Sequence, residues 1–214
     1  MARPSDLRVF LKEARSHWHH TGALAPSSKS LARAITGPLA RRDRSVPARI
    51  CEVGPGTGSF TREIVSLMGA QDILDVYDLN QTFLGHTREL LEADATLAAK
   101  LSQVSFHELD ARRLDVNAFY DVLISGLPFN NFSPEIVDEI LAAYVRATRP
   151  DGTISFFEYA GARTAKKMIS RKEGRTALDG IDAILKRYIK SLQDSETLVL
   201  ANFPPAVVHH FRRR

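Results

Sequence analysis

The sequence predicts an α/β protein, namely a doubly wound, mostly parallel sheet with helices on both faces, preceded by N-terminal helices. Three observations support this prediction. From residue 48 onward, short apolar segments typical of buried strands alternate with amphipathic segments typical of helices. Glycines or acidic residues follow directly after these apolar segments, at the edge where such a sheet binds ligands. Two strand-like segments close the sheet with no helix between them, which indicates one antiparallel strand at its end.

The segments before the sheet are predicted to form two helices. Residues 5–19 form the first, with Ser5 as its N-cap. Its apolar side chains recur every three or four residues and share one stripe: Leu7, Phe10, Leu11, Ala14 and Trp18. Ser27 or Ser28 caps the second helix, which ends near Gly37-Pro38.

Within the sheet, the strand-like segments are rich in β-branched and aromatic residues, and we expect them at residues 48–53, 73–79, 104–109, 120–126, 153–160, 197–203 and 206–211. The helical segments carry periodic apolar residues, and we expect them at residues 59–68, 81–94, 134–148 and 174–192. Pro150-Asp151-Gly152 stops the third of these helices. Pro204-Pro205 separates the two closing strands.

The size and composition of the chain indicate one globular domain. It has 214 residues, 44% of them hydrophobic, which suffices for one sizeable core. We expect amphipathic and lid helices over residues 1–45 and a ligand-binding domain over residues 46–214. Cys51 is the only cysteine, so an internal disulfide is excluded and a reducing compartment is expected. Charges interrupt the N-terminal segment every few residues, so we expect neither a secretory signal nor a spanning helix there.

Charge is segregated along the chain, although the formal net charge is only +4. Residues 1–50 carry ten Lys or Arg against three Asp or Glu, and residues 151–214 carry twelve against seven. Residues 51–150 between them carry seven against fifteen. The pattern favours an acidic catalytic body with basic flanks that face an anionic surface, either a nucleic acid or a membrane. A solvated charged surface without a partner is the alternative.

Acids and glycines mark the ends of the predicted parallel strands. The segment ICEVGPGTG places Glu52 at the end of the first strand, followed by Gly54, Gly56 and Gly58. These glycines let the backbone turn sharply and let a ligand approach it. Asp78 ends the second strand, twenty residues after Gly58, at the distance expected for an acid that binds ribose hydroxyls. Asp110 follows the third strand, where its carboxylate or the neighbouring backbone can reach an adenine amine, and SGLPFNNF follows the fourth.

Together these motifs resemble the class I S-adenosylmethionine-dependent methyltransferases over about residues 48–211. The glycine spacing differs from the dinucleotide fingerprint G-x-G-x-x-G. The resemblance implies a seven-stranded Rossmann-like sheet with an antiparallel last strand, and S-adenosylmethionine as the cofactor. The glycine motif would line the methionine end, Asp78 the ribose and Asp110 the adenine. The implied cofactor-binding residues are Glu52, Gly54, Gly56, Gly58, Asp78, Leu79, Asp110, Ala111, Ser125 and Gly126.

The segment SGLPF resembles the acceptor motif of two subfamilies. In the ribosomal RNA adenine dimethyltransferases the motif is Asn-Leu-Pro-Tyr or Asn-Leu-Pro-Phe, and its Asn accepts a hydrogen bond from the adenine amine. Here Gly126 stands at the Asn position, so the side-chain acceptor is lost. We also expect no C-terminal helical RNA-binding domain. RNA adenine N6-dimethylation is therefore the alternative function.

The second subfamily is that of the bacterial phospholipid and ornithine-lipid N-methyltransferases. TGALAPSSKSLARAI, SGLPF and NFPPAVVHHFRR all resemble its segments. The resemblance implies successive methylation of the headgroup amine of phosphatidylethanolamine or an ornithine lipid. The acceptor would be bound by Leu127, Pro128, Phe129, Lys29 and Arg33, and further cations could come from Arg163, Lys166 and Lys167. We expect a cytoplasmic monomer or weak oligomer at the inner face of the cell membrane, with no metal and no nucleic-acid partner.

The predicted N-terminal helix suits a membrane interface. Phe10, Leu11 and Trp18 would enter the interface while the basic residues beside them face an anionic leaflet. Packing of the same stripe against the protein body is the alternative, and the two are compatible.

Methyl transfer to an alkyl amine also needs a group that takes up a proton, because such an amine is mostly protonated at neutral pH. The candidates are Tyr159 and Glu158 at the end of the fifth parallel strand, or else His19 or His20. His209 and His210 are expected to be structural. A nucleoside sensor without catalytic activity is the remaining alternative.

Overall fold

The structure, a computed structural model, describes residues 27–161 and 172–214. Its helices are α1 (Lys29–Ile35), α2 (Gly37–Arg41), α3 (Ser59–Leu67), α4 (Gln81–Glu92), α5 (Ala95–Ala98), α6 (Pro134–Ala147) and α7 (Lys172–Leu192). Its strands are β1 (Arg49–Val53), β2 (Ile73–Asp78), β3 (Val104–Glu108), β4 (Tyr120–Ser125), β5 (Thr148–Tyr159), β6 (Gln193–Val199) and β7 (Ala206–Arg212). Short 3-10 turns cover Leu101–Gln103, Ala111–Arg113 and Phe129–Asn131.

The seven strands form one sheet in the order β3-β2-β1-β4-β5-β7-β6. Strands β1 to β5 pair in parallel, whereas β7 is antiparallel to both of its neighbours. The predicted doubly wound sheet with an antiparallel last strand is confirmed. Because the strand order reverses between β1 and β4, the loops after these two strands flank the crevice where such sheets bind ligands.

Two strands differ in extent from their predicted ranges. Strand β6 begins four residues earlier than expected and ends at Val199. Residues 200–205 form the turn instead of extending the ladder, because Pro204 and Pro205 have no backbone N–H to donate. Strand β5 starts already at Thr148, and its register against β4 shifts between Tyr120 and Val122. The residues Pro150-Asp151-Gly152, expected to end the helix, lie within this irregular start.

Side-chain caps fix the beginnings of the helices around the sheet. The Ser28 hydroxyl accepts a hydrogen bond from the Leu31 N–H at 3.1 Å and begins α1, which confirms one of its two predicted caps. Ser133 caps α6 in the same way, with Pro134 at the first helical position. Helix α1 ends at Ile35, and Gly37-Pro38 begins a separate short helix.

Each face of the sheet carries its own hydrophobic core. One face, called here the α6–α7 face, is covered by α6 and α7, and its buried side chains include Cys51, Phe129, Tyr144, Phe156, Leu178 and Phe211. The other, the α1–α3 face, is covered by α1, α3 and α4, and its buried side chains include Leu31, Ile35, Ile64, Leu84, Ile124 and Val208. Burial on both faces explains why the strands read as nearly continuous apolar segments.

Several predicted residues lie outside the described part of the chain. These are the helix over residues 5–19 with Phe10, Leu11 and Trp18, the pair His19 and His20, and the cations Arg163, Lys166 and Lys167. Within residues 27–161 and 172–214, no helix has the length and apolar character needed to cross a bilayer.

Asp72 ties together the segments at the amino edge of the sheet. Its carboxylate is 2% exposed and accepts hydrogen bonds from the Ala48 N–H at 2.8 Å and the Gly69 N–H at 2.6 Å. The guanidinium of Arg42 pairs with the same carboxylate. One buried side chain therefore fixes the entry into β1, the turn before β2 and the residue after α2.

We expect Asp72→Ala to lower the free energy of unfolding by about 3 kcal/mol, because two buried N–H groups and a guanidinium would lose their acceptor. Urea denaturation measures the change. The control is Arg62→Ala, which breaks an exposed ion pair with Asp94 and should cost under about 1 kcal/mol. Equal losses in the two variants would contradict this account.

Candidate functional site

The loop after β1 is shaped by three glycines in the left-handed region. Gly54, Gly56 and Gly58 have φ values of 73°, 55° and 77°, a conformation that other residues rarely adopt. The Gly58 N–H donates to the Pro55 carbonyl at 2.9 Å, and Gly58 is the N-cap of α3. A Cβ at Gly56 would meet no atom within 4 Å. The loop thus presents bare backbone to an open space at the N-terminus of a helix, a site suited to ligand binding.

The loops after β1 and β4 pack backbone to backbone. A Cβ at Gly126 would lie 2.3 Å from the Gly54 carbonyl oxygen, and one at Gly54 would lie 2.6 Å from Leu127 Cδ2. The Gly126 N–H donates to the Val53 carbonyl at 2.8 Å, and the Gly54 N–H donates to the Tyr77 carbonyl at the same distance. No side chain fits at Gly126 unless the glycine loop moves.

Glu52 is completely buried at the end of β1 on the α1–α3 face. Neither carboxylate oxygen has a hydrogen-bond partner within the described residues, and the Thr61 hydroxyl beside it also has none. Burial raises the pKa of Glu52 to about 8, the proximity of Thr61 opposes this rise, and the charge of Asp78 adds to it. A buried acid without a partner is costly, so it indicates a position that a cationic or donor group of a ligand would satisfy.

Asp78 ends β2 beside Glu52. Its Oδ1 accepts the Asn80 N–H at 2.8 Å, which turns the chain sharply after the strand. Burial raises its pKa to about 6, against the hydrogen bonds from Asn80 and Leu79 that lower it. The two acids therefore lie close together at the carboxyl edge, as the sequence predicted.

Asp110 makes contacts that its position after β3 did not predict. Its carboxylate is held by Arg112 through Nη2 at 2.7 Å and Nε at 3.1 Å, and it also accepts the Arg112 N–H at 3.0 Å. The Nη1 of Arg112 also forms an ion pair with Glu139 of α6, 3.1 Å from its Oε2. These contacts engage both carboxylate oxygens of Asp110. Sequence reasoning missed Arg112, although a cation two residues after a strand-end acid could have suggested the pair.

Buried hydroxyl groups of Ser125 and Tyr144 fix the position of the SGLPF segment. Ser125 Oγ lies 2.9 Å from the Tyr144 hydroxyl and accepts the Leu127 N–H at 3.3 Å. Phe129 is only 2% exposed and packs on Phe156 at a centroid distance of 5.3 Å. The ring of Phe129, a predicted acceptor-binding residue, is therefore part of the core in this structure and supports the loop from inside.

The two predicted proton acceptors lie on opposite faces of the sheet because they are neighbours in one strand. Tyr159 lies on the α1–α3 face, where it packs against Phe157 at 5.3 Å, and burial raises its pKa. Glu158 lies on the α6–α7 face, is 9% exposed and approaches His209 Nε2 to 3.5 Å. The structure thus separates the pair and places only Glu158 on the face that holds Phe129.

The two histidines of β7 differ in their surroundings. His210 is buried with its Nδ1 2.8 Å from Ser155 Oγ, and burial lowers its pKa to about 4, which agrees with the expected structural role. His209 stacks on Phe156 and joins Glu158 to the β6 side chains, with Nδ1 3.2 Å from Gln193 Oε1. The contact between His209 and Glu158 was not anticipated, since only the pairing of β5 with β7 brings them together.

The two predicted cations of the acceptor site lie on α1. Lys29 and Arg33 are exposed on the outer side of α1, and the Ser28 N–H just before them donates to Asn202 Oδ1 at 3.0 Å. Helix α1 therefore starts at the turn between β6 and β7.

Comparison with known proteins agrees with this geometry. Residues 50–152 match a family model described as a methyltransferase domain. No curated protein matches the chain in sequence.

Solved structures share the fold at low identity. TrmN from Thermus thermophilus has a TM-score of 0.60 and 19% identity, over 86% of this chain and 48% of that one. NodS, an N-methyltransferase from Bradyrhizobium japonicum WM9 in complex with S-adenosyl-L-homocysteine, has a TM-score of 0.58 and 13% identity, over 86% of this chain and 87% of that one. The carbon methyltransferase CurJ has a TM-score of 0.59 and 13% identity, over 86% of this chain and 53% of that one.

The chain spans about half the length of TrmN and of CurJ, and likeness at such identities establishes the fold alone. The acceptor does not follow from the fold, since these proteins include both an N- and a C-methyltransferase. The family match, by contrast, covers the glycine loop, the three strand-end acids and the SGLPF segment. Residues 50–152 are therefore similar to a methyltransferase domain, and this similarity implies S-adenosylmethionine as the cofactor.

Proposed function

We propose that the chain transfers methyl groups, in successive reactions, to the headgroup amine of a membrane aminolipid, either phosphatidylethanolamine or an ornithine lipid. The observation that carries this proposal is the packing at Gly126, where a Cβ would lie 2.3 Å from the Gly54 carbonyl oxygen. The side-chain acceptor that would polarise an adenine amine has no room there. An alkyl amine needs no such polarisation once it has lost a proton, so it suits this site better than a nucleobase.

The residues of the carboxyl edge fit the cofactor. Glu52 would face the ammonium group of the methionine end, because its buried carboxylate otherwise has no partner among the described residues. The open space above Gly56 leaves room for the ligand against bare backbone, and Asp78 would take the ribose hydroxyls. The backbone at Asp110 and Ala111 would meet the adenine, since Arg112 occupies the Asp110 carboxylate. When bound, S-adenosylmethionine supplies an electrophilic methyl group on a positively charged sulfur.

Glu158 is the proposed proton acceptor. It lies on the same face as the core of the SGLPF segment, at the end of the strand that neighbours β4. His209 contacts it at 3.5 Å, and the other ring nitrogen of His209 lies 3.9 Å from the exposed carboxylate of Glu196. A proton taken from the headgroup ammonium by Glu158 would thus have a path through His209 to solvent. Removal of that proton frees the nitrogen lone pair for attack on the methyl group.

We expect Gly56→Ala to weaken the binding of S-adenosylhomocysteine by about tenfold to a hundredfold, because the added methyl group would occupy ligand space. Isothermal titration calorimetry measures the affinity. Gly161→Ala is the matched control, because Gly161 also has a positive φ, 73°, and open space around its Cβ position. If both variants lose affinity equally, backbone strain rather than ligand contact explains the effect.

Glu52 should make the stability of the ligand-free protein depend on pH. Its folded-state pKa of about 8 exceeds the ordinary value of 4.5, so the folded state holds the extra proton and stability falls as the pH rises through 8. Asp78 acts in the same direction only up to about pH 6, and His210 acts oppositely only below 6.5. Between pH 6.5 and 8, thermal denaturation should show a decline that Glu52→Gln abolishes.

The same carboxyl should lose its proton when the ligand binds. At pH 7.5, about midway through this window, calorimetry in buffers of different ionisation enthalpy should detect proton release on binding of S-adenosylhomocysteine. The Glu52→Gln variant should release none. Proton release that persists in that variant would assign it to another group.

The acceptor can be identified by expressing the chain in a bacterium that lacks methylated lipids and analysing its lipids by mass spectrometry. We expect aminolipids heavier by one CH2 unit for each methyl group added.

With purified protein, Glu158→Gln should reduce kcat at least a hundredfold, at the lower end of the contribution of a general base, without weakening cofactor binding. Tyr159→Phe, on the opposite face, should retain activity within about threefold. An unchanged lipid profile together with methylated adenine in ribosomal RNA would favour the RNA alternative.

A further inference from the structure

The turn between β6 and β7 exposes large apolar side chains. Phe203 is 83% exposed, Leu200 72% and Leu198 57%. Among the described residues only Val46 and Ile73 are comparable, and both lie at the amino edge of the sheet, before β1 and at the start of β2. Residues 198–205 are called here the hairpin tip, and none of its eight residues carries a charge.

The hairpin tip lies at the same edge of the sheet as the glycine loop. Strand β6 runs in the direction of β5, because both are antiparallel to β7, so its carboxyl end points to the ligand-binding edge. The tip is held in a defined shape, since Asn202 accepts the Ser28 N–H at 3.0 Å and donates to the Pro204 carbonyl at 2.7 Å. Its Pro205 carbonyl accepts the Ala160 N–H at 2.7 Å. The apolar side chains are thus presented by a tethered turn.

Two directly paired apolar residues, Leu198 of the tip and Val207, connect the tip to the proposed proton acceptor. Leu198 is paired with Val207, and Val207 is paired with Glu158 on the other side. Directly paired residues point to the same face of a sheet, so these side chains lie side by side across three strands, about 5 Å from one strand to the next. A molecule lying along the tip would therefore approach Glu158 from the β6 side.

Positive charge flanks the tip. Lys29 follows Ser28, which is bonded to Asn202, and Arg33 lies one helical turn further on the exposed side of α1. Of the acidic residues of β6, Asp194 lies near its other end and Glu196 at its middle, where its carboxylate is 3.9 Å from His209. Exposed aromatic and aliphatic side chains beside cations are the combination that partitions into the interface of an anionic bilayer.

We propose that the hairpin tip inserts into the interfacial region of an anionic membrane and turns the carboxyl edge of the sheet towards the lipid. The tip supplies the apolar contact through Leu198, Leu200 and Phe203, and Lys29 and Arg33 meet the anionic headgroups. The inference deepens the proposed lipid function and rests on it for the identity of the acceptor. Attachment to the bilayer can be measured without methyl transfer.

The test uses the full chain and vesicles of phosphatidylglycerol with phosphatidylcholine, against phosphatidylcholine alone. Neither lipid offers a primary amine, so binding does not depend on the acceptor. We expect co-sedimentation with the anionic vesicles, and an at least tenfold lower partition coefficient for the double variant Leu200→Ser, Phe203→Ser. Val46→Ser, which removes a 60% exposed apolar side chain at the opposite edge, should bind as the unaltered protein does. Unchanged affinity for S-adenosylhomocysteine verifies that each variant is folded.

A second measurement reports the depth of the tip. An environment-sensitive dye on Phe203→Cys labels that position, since Cys51 is fully buried. We expect a blue shift on addition of anionic vesicles and quenching by lipids brominated along their acyl chains. Vesicle binding that the double variant retains would overturn the proposal. A dye shielded from an aqueous quencher before vesicles are added would also overturn it, because protein would then cover the tip.

The outcomes separate this inference from the proposed function. Loss of vesicle binding in the double variant, with methylation of a detergent-dispersed aminolipid intact, supports the tip as the attachment site. Binding through the tip without any methylated lipid supports attachment and overturns the acceptor assigned above.

Discussion

The site depends on the contact between two backbones, that of the loop after β1 and that of the loop after β4. The Gly126 N–H donates to the Val53 carbonyl at the end of β1, and the Gly54 N–H donates to the Tyr77 carbonyl near the end of β2, both at 2.8 Å. These bonds require glycine on both sides, since a Cβ at either position would collide with the other loop. The contact fixes the open space at Gly56 and closes the place where an acceptor side chain could stand. One steric constraint thus shapes the crevice and, in the proposed function, favours an alkyl amine over a nucleobase.

Alternation along the strands divides the chemistry between the two faces. Glu52 and Asp78 lie on the α1–α3 face, where burial raises the pKa of both. Glu158 lies on the other face with Phe129 and His209. In the proposed function, groups that hold the cofactor and the group that handles the acceptor proton are therefore separated by the thickness of the sheet edge. Because in-line transfer requires the sulfur and the headgroup nitrogen to lie about 3 Å apart, the two would have to meet above the carboxyl edge.

Much of the architecture could be predicted because it depends on local patterns. Apolar segments, serine caps and strand-end acids are visible in the sequence, and Ser28, Glu52 and Asp78 lie where the patterns indicated. Contacts set by pairing between distant segments could not be predicted. The pairing of β5 with β7 brings His209 to Glu158, and the crossing of two loops makes Gly126 obligatory rather than a lost asparagine. The ion pair between Arg112 and Asp110 could not be predicted either, because it depends on the 3-10 turn of residues 111–113.

The insertion of β7 between β5 and β6 has a consequence for the order of assembly. Strands β1 to β5 can pair in parallel as soon as their own residues are available. Among the described strands β6 pairs only with β7, so it can join the sheet only together with β7 or after it. The residues proposed to bind the cofactor would therefore be in position while the far side of the sheet is still open, and the surface from Glu158 to Phe203 would be completed last.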